Sequence, residues 1–258
     1  MAGVKPLRLV VSGCCGRMGS LIIEEILKDP AHFELVGGLE HDGHPHLGKP
    51  LPGAPKIRVS KDVHRLFGEA DLVIDFTTPE ATLAHAEAAA VAAIGLVIGT
   101  TGFSPDQLTR LQELSQQVPI FWSPNMSIGI VIVRRAIASV SKLLFDFGLT
   151  EQTKAQISET HHVKKKDKPS GTAKALAEEL FKATGWLIKE EEIEAKREGE
   201  VIGIHSVTFN TGPEKITLTH EATDRRVFAQ GAVLVARNFQ RIVGPRGKGW
   251  FGMDDFIK

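Results

Sequence analysis

The sequence predicts a two-domain α/β protein: a doubly wound, parallel sheet in the first half, then a smaller α+β domain with a mixed sheet. Three observations predict it. The first half alternates short apolar, β-rich runs with stretches of helical periodicity. A glycine loop, GCCGRMG, directly follows the first of those runs. After Pro124 the pattern changes to a long apolar helix and then to strands that alternate in period two.

In order, LRLVVSG (7–13) reads as a strand and MGSLIIEEILKD (18–29) as a helix with Leu21, Ile22 and Ile26 stepping around it. FELVGGLE (33–40), DLVIDFT (71–77), GLVIGTT (95–101) and VPIFWSP (118–124) read as further strands, with helices over 80–93 and 104–117. Near-continuous apolar strands separated by helices indicate a parallel sheet covered on both faces. SIGIVIVRRAIASVSKLLF (127–145) reads as a helix bridging two domains. QISETHH, IGIHSVTFN and EKITLTHEA then read as strands, the last two alternating His205, Val207, Phe209 and Ile216, Leu218, His220 on their faces. Helices over 172–184 and 226–239 complete the smaller unit, and RIVGPRGKGW (241–250) reads as a glycine-rich surface loop. The expected domains are 1–126, with the tail 238–258 returning to it, and 127–237.

Lys+Arg 31 balances Asp+Glu 31, so no global field draws the chain to nucleic acid or an anionic membrane, and neither is an expected partner. The longest apolar run, Ala88–Gly99, is divided by Gly95 and falls short of the ~18–20 residues of a membrane span. Cys14 and Cys15 are the only cysteines and are adjacent, which excludes a long-range disulfide framework and fits a reducing cytoplasm. No metal site is expected.

Gly13, Gly16 and Gly19 stand where a βα turn brings backbone close to a pyrophosphate at a helix N-terminus, the signature of a Rossmann-type sheet. The spacing is G-x-x-G-x-x-G rather than the commoner G-x-G-x-x-G, and an ordinary βα turn would also use glycine. Glu40 closes the second strand about 20 residues further on, where a carboxylate accepts hydrogen bonds from an adenosine ribose. GTTG (99–102) ends another strand at the same sheet edge. Together these loops indicate a nicotinamide dinucleotide. Cys14 and Cys15 lie in the phosphate loop, away from any substrate carbonyl, and read as small unreactive residues.

In ETHHVKKKDKPSGTA (159–173), two histidines and four lysines precede a helix start. Ala173, Leu176, Ala177, Leu180 and Phe181 set the helical period, Ser170 is an N-cap, and Gly171 lets a ligand approach the first amides. A helix N-terminus with lysines receives carboxylates or phosphates, and histidine supplies a proton near neutral pH. A lysine run is also what a solvated face looks like, and Lys164, Lys166 and Lys168 read that way.

At this point the chain resembles the bacterial dihydrodipicolinate reductases, also called 4-hydroxy-tetrahydrodipicolinate reductases, of lysine and diaminopimelate biosynthesis. The resemblance rests on GCCGRMG, DFTTPE, GTTGF, NMSIG and ETHHVKKKDKPSGTA in that order and covers nearly the whole chain. It implies a proton donor at His161 and a second at Lys165, with substrate carboxylate contacts from His162, Lys165, Ser170, Gly171 and Thr172. It implies cofactor contacts from Gly13, Cys14, Cys15, Gly16, Arg17 and Met18, from Glu40 with His41, from Gly99, Thr100 and Thr101, and from Ser123, Pro124, Asn125 and Met126. The implied activity is hydride transfer from NADH or NADPH to a cyclic dicarboxylate imine, with loss of water, by a cytoplasmic homotetramer. Where many members have arginine after the ribose-binding acid, this chain has His41, which pairs a 2′-phosphate only weakly and favours NADH. Domain closure would hinge near 125–127 and 237–240. Two rivals stand beside this reading: another two-domain reductase such as an aspartate or homoserine dehydrogenase, and a dinucleotide sensor without catalysis.

Overall fold

A computed structural model describes residues 5–256; residues 1–4 and 257–258, both within the range expected for the first domain, lie outside the described residues. The chain forms two compact units, 1–126 with 226–258, and 127–225.

The first unit contains β1 (Leu7–Ser12), α1 (Arg17–Leu27), β2 (Phe33–Leu39), β3 (Pro50–Leu51), β4 (Ala54–Ser60), α2 (Val63–Glu69), β5 (Leu72–Asp75), α3 (Pro79–Ala92), β6 (Gly95–Ile98), α4 (Pro105–Leu114) and β7 (Pro119–Trp122). The second contains α5 (Ile128–Asp146), β8 (Lys154–His161), α6 (Gly171–Thr184), β9 (Glu194–Arg197), β10 (Gly203–Asn210) and β11 (Lys215–Ala222). The chain then returns to the first unit with α7 (Arg226–Arg237), α8 (Phe239–Val243), β12 (Gly249–Phe251) and α9 (Met253–Phe256).

The first sheet runs β12-β7-β6-β5-β1-β2-β4-β3, parallel throughout except for the short β3. Leu9, Val10 and Val11 of β1, Leu72, Val73 and Ile74 of β5, and Leu96, Val97 and Ile98 of β6 have no exposed surface, so these strands read as unbroken apolar runs. Helix starts follow local chemistry. Thr78 caps α3 ahead of Pro79, and Ser104 forms a reciprocal capping box with Gln107 ahead of Pro105 in α4.

Two sequence expectations are corrected in this unit. The helix placed in the second domain, α7, packs on α1 in the first, burying Ala229, Ala232, Val233, Val235 and Ala236, with Arg226 paired to Glu24 at 2.8 Å. Gly231 lets α7 also lie against Met126, because a Cβ there would stand 1.7 Å from the Met126 carbonyl. The second unit therefore ends at Arg225, and the chain passes between units at 126–127 and 225–226 rather than near 237–240. The segment read as the loop 241–250 contains the end of α8 and most of β12, which pairs parallel with β7 and extends the sheet edge. A three-residue strand after glycines leaves no periodicity to read.

The second sheet runs β11-β10-β8-β9, antiparallel except for the β8–β9 pair. Its inner face carries Ile157, Val207 and Phe209 against Ile137 and Leu144 of α5 and Ala173, Leu176 and Leu180 of α6. Its outer face carries hydroxyl pairs, Ser206–Thr219 at 2.9 Å and Thr208–Thr217 at 3.1 Å. The register aligns His205 with His220, Val207 with Leu218 and Phe209 with Ile216, the face that alternation predicts.

Candidate active site

In the first unit, β1 lies between β2 and β5, so the winding reverses there and the carboxyl ends of β1 and β5 flank a crevice. Gly13 turns the chain at φ +72, and Gly16 is the N-cap of α1 with no side chain to bond the first amides. A Cβ at Gly19 would lie 2.0 Å from the Gly13 carbonyl, so only glycine lets helix and loop close together. Arg17 and Met18 open α1 at this turn. Glu40, just past β2, accepts the Cys15 amide through Oε1 at 2.8 Å, which sets a carboxylate beside the loop. These residues fit a dinucleotide: a side-chain-free helix start for phosphate, and an acid for ribose hydroxyls. His41 is exposed, its Nδ1 2.8 Å from the Asp42 carbonyl.

The cysteines have no nucleophilic setting. Burial, first, and the neighbouring Cys15 push the Cys14 thiol far up, and burial also raises Cys15.

The predicted cofactor loop after β6 is braced by Asp75, which ends β5 with no exposed surface and lies 3.3 Å from the Thr100 hydroxyl. Its Oδ1 accepts the Thr77 amide at 3.0 Å and hydroxyls of Thr77 and Thr82 at 2.7 and 2.9 Å, and its Oδ2 meets His85 Nδ1 at 2.6 Å. Burial pushes this carboxyl up, but the His85 bond, the His85 charge and the threonines outweigh burial and hold it below the usual range. The Thr100 hydroxyl belongs to the same network, accepting the Thr77 amide at 3.1 Å, and the Thr100 carbonyl accepts the Trp122 indole N–H at 3.0 Å. Gly99 lies under the Phe76 ring, where a Cβ would come within 2.1 Å, and Thr101 is exposed. Ser123 closes its own turn by donating to the Asn125 carbonyl at 2.6 Å; Pro124 is exposed and Met126 buried.

In the second unit, period two along β8 places Glu159 and His161 on the inner face, where Glu159 lies opposite His205. All three are buried, at 2%, 7% and 3% exposure. Glu159 Oε1 accepts the Ser170 amide at 3.0 Å and an Arg197 N–H at 3.2 Å, joining the end of β8 to the start of α6. Glu159 Oε2 lies 3.2 Å from His161 Nδ1 and 3.8 Å from His205 Nε2 but accepts no hydrogen bond. Burial raises the Glu159 carboxyl, yet His161 and Ser170 outweigh it and bring it down to about 2. Burial and the facing His161 push His205 down to about 3, so it is neutral at pH 7.

Ser170 caps α6 by accepting the Ala173 amide at 3.2 Å and lies 3.3 Å from His205 Nε2. Gly171 has open space where a Cβ would stand, and Thr172 follows it in the first turn. Lys165 pairs with Asp167 at 2.8 Å, and His162 is lowered by burial, then by Arg225. The substrate residues named from the sequence thus converge on one end of the second sheet. Sequence reading missed Glu159, Arg197 and His205 as members. The i, i+2 step in ETHH was a signal for Glu159, whereas Arg197 comes from β9, which no pattern marked.

Doubly wound sheet, glycine loop and a buried proton-bearing cluster at a helix start define a two-domain pyridine-nucleotide oxidoreductase. Two family models cover the chain, "Dihydrodipicolinate reductase, N-terminus" over residues 7–126 and "Dihydrodipicolinate reductase, C-terminus" over residues 129–257. The curated 4-hydroxy-tetrahydrodipicolinate reductase of Archaeoglobus fulgidus is 36% identical over 98% of this chain and 100% of the relative. That of Anaeromyxobacter dehalogenans is 35% identical over 89% and 91%. A dipicolinate-bound dihydrodipicolinate reductase from Paenisporosarcina sp. TG-14 shares the fold, with a TM-score of 0.75, 22% identity and coverage of 98% and 100%. The chain belongs to the dihydrodipicolinate reductase family.

Proposed function

We propose that this chain reduces 4-hydroxy-tetrahydrodipicolinate to tetrahydrodipicolinate, with loss of water, in lysine and diaminopimelate biosynthesis. The observation that carries the reading is the junction of β8 with α6. There a buried imidazole lies 3.2 Å from a carboxylate that accepts the amide at a helix N-terminus, and Arg197 ties that carboxylate to the loop carrying Lys165. A dicarboxylate is the substrate such a cluster suits. The first turn of α6, Ser170 to Thr172, takes one carboxylate through backbone amides and the helix dipole. Lys165 and His162 take the other.

In the first unit, the loop from Gly13 to Met18 would hold the cofactor pyrophosphate and Glu40 its ribose, with Gly99 to Thr101 and Ser123 to Met126 along the rest. Bound, the reduced nicotinamide supplies a hydride. His161 then gives its Nε2 proton to the ring atom that gains electron density, and Lys165 keeps the carboxylate in place and assists proton delivery. His41 favours NADH over NADPH, since imidazole lacks the guanidinium fork that grips a 2′-phosphate. The resemblance extends to a homotetramer in the cytoplasm; light scattering on the purified protein reads the assembly.

His161→Gln tests the reading. General acid assistance is worth about 10²–10⁴-fold, so turnover falls by that factor while the dissociation constant for NADH stays within twofold. Unchanged turnover removes His161 from the chemistry.

A further inference from the structure

That reading leaves three features of the second unit unused: a buried carboxylate oxygen with no hydrogen bond, an arginine that reaches four acceptors, and glycine opposite the His161 ring. We infer that Glu159 and Arg197 are positioning residues: Glu159 holds His161 by its Nδ1 edge, and Arg197 clamps Glu159 to the Lys165–Asp167 loop, so the two proton-handling side chains are set as one unit. The inference rests on the roles proposed for His161 and Lys165.

The clamp is read from the guanidinium. Arg197 Nη2 donates to Glu159 Oε1 at 3.2 Å and also to the Asp167 carbonyl, and Nε donates to the Lys165 carbonyl at 3.3 Å. Its side chain is only 15% exposed. A planar fork serves several fixed acceptors at once, which a lysine ammonium on a flexible stem does not reproduce. The Ser170 amide binds the same oxygen, so the Glu159 carboxylate cannot rotate without breaking both contacts.

The held orientation has a consequence at Oε2. A buried carboxylate oxygen without a donor is costly, and an ionised carboxylate only accepts. Its nearest side-chain donors are the rings of His161 at 3.2 Å and His205 at 3.8 Å. With Nδ1 held, His161 presents Nε2 on its opposite edge. There Gly203 leaves room, since a Cβ at that position would stand 3.0 Å from Nε2. Glu159, His161 and His205 also form a donor set for a divalent cation. The Arg197 guanidinium on the same carboxylate opposes a cation by charge.

Glu159→Gln, Arg197→Lys, His161→Gln and the Glu159→Gln/His161→Gln double variant separate these ideas. Glu159→Gln lowers kcat about 10- to 100-fold, the loss expected when the charge facing His161 Nδ1 at 3.2 Å is removed, with NADH affinity unchanged and partial rescue in Glu159→Asp. In the His161→Gln background the same change costs less than about twofold, because the group it orients is gone. Nitrogen-15 NMR of His161 reads a proton fixed on Nδ1 in the native protein, beside the Nε2 proton that the ring delivers, and loss of the Nδ1 preference in Glu159→Gln. Arg197→Lys lowers kcat and raises KM for the dicarboxylate together, and it carries the test alone should Glu159→Gln fail to fold. Additive losses in the double variant, or full turnover in Arg197→Lys, overturn the inference. So does stoichiometric zinc in active protein that a chelator inactivates. Full turnover in His161→Gln instead removes the proton-donor role of His161 on which the inference rests.

Discussion

Each unit buries a carboxylate against a histidine, and the two pairs are built to opposite ends. In the first, Asp75 and His85 meet at 2.6 Å, and the amide and hydroxyl of Thr77 and the hydroxyl of Thr82 occupy the other carboxylate oxygen. In the second, Glu159 and His161 stand 3.2 Å apart, with one carboxylate oxygen doubly held and the other accepting nothing. A saturated network has one low-energy arrangement and fixes what is tied to it, here the loops after β5 and β6. An unsaturated one leaves a buried acceptor facing a histidine ring, the arrangement on which the inferred positioning of His161 rests. The same residue types thus serve as a brace in one place and, in the proposed reading, support the proton donor in the other. The count of satisfied lone pairs tells them apart.

The largest effect should break the brace. Asp75→Ala strands His85 and the threonine donors in a sealed interior, and loss of one partner from a buried pair costs about 3–5 kcal/mol. Urea denaturation followed by intrinsic fluorescence measures it. A loss below about 1 kcal/mol would mean that the network is not the brace described.

A second test uses pH. His205 falls from 6.5 to about 3 on folding and Glu159 from 4.5 to about 2. Both are depressed, so their stabilisation is complete above the unfolded values and drains away as acid is added. His205 acts first, at about 2 kcal/mol between pH 6.5 and pH 5. It is faced there by His161, Glu159, His220 and Lys165, and burial lowers His162 and His220 in the same sense. Melting temperature should decline across this window, and His205→Gln should flatten the decline. An unchanged slope in that variant would assign the acid sensitivity elsewhere.

The smallest change in stability sharpens the comparison most. Gly203→Ala presses a methyl group to 3.0 Å from His161 Nε2. Stability should move by less than about 1 kcal/mol, since alanine suits a strand at least as well as glycine, while kcat falls about tenfold as the ring is displaced. Equal turnover with and without the methyl group would show that the Nε2 edge needs no open space.

Reading the chain worked where one period or one motif spanned a whole element. The unbroken apolar runs of β1, β5 and β6, the capping chemistry of α3, α4 and α6, and the shared face of His205 with His220 were all legible. It failed for β3, β4, α2, β9 and β12. These are short or half-exposed and take their conformation from a neighbouring strand or from packing. It also misassigned α7. An amphipathic face announces that it will be buried but not against which partner.

The sequence by itself determined the family, the glycine turn at the first helix and the histidine–lysine stretch at the start of α6. Each of these depends on residues close together in the chain. Only the tertiary structure decided that Arg197, more than thirty positions past Lys165, grips the loop beside it, and that Asp75 is closed while Glu159 is left open. Those outcomes depend on strand register and on how many donors crowd one oxygen. Neither quantity exists until distant segments are brought into contact.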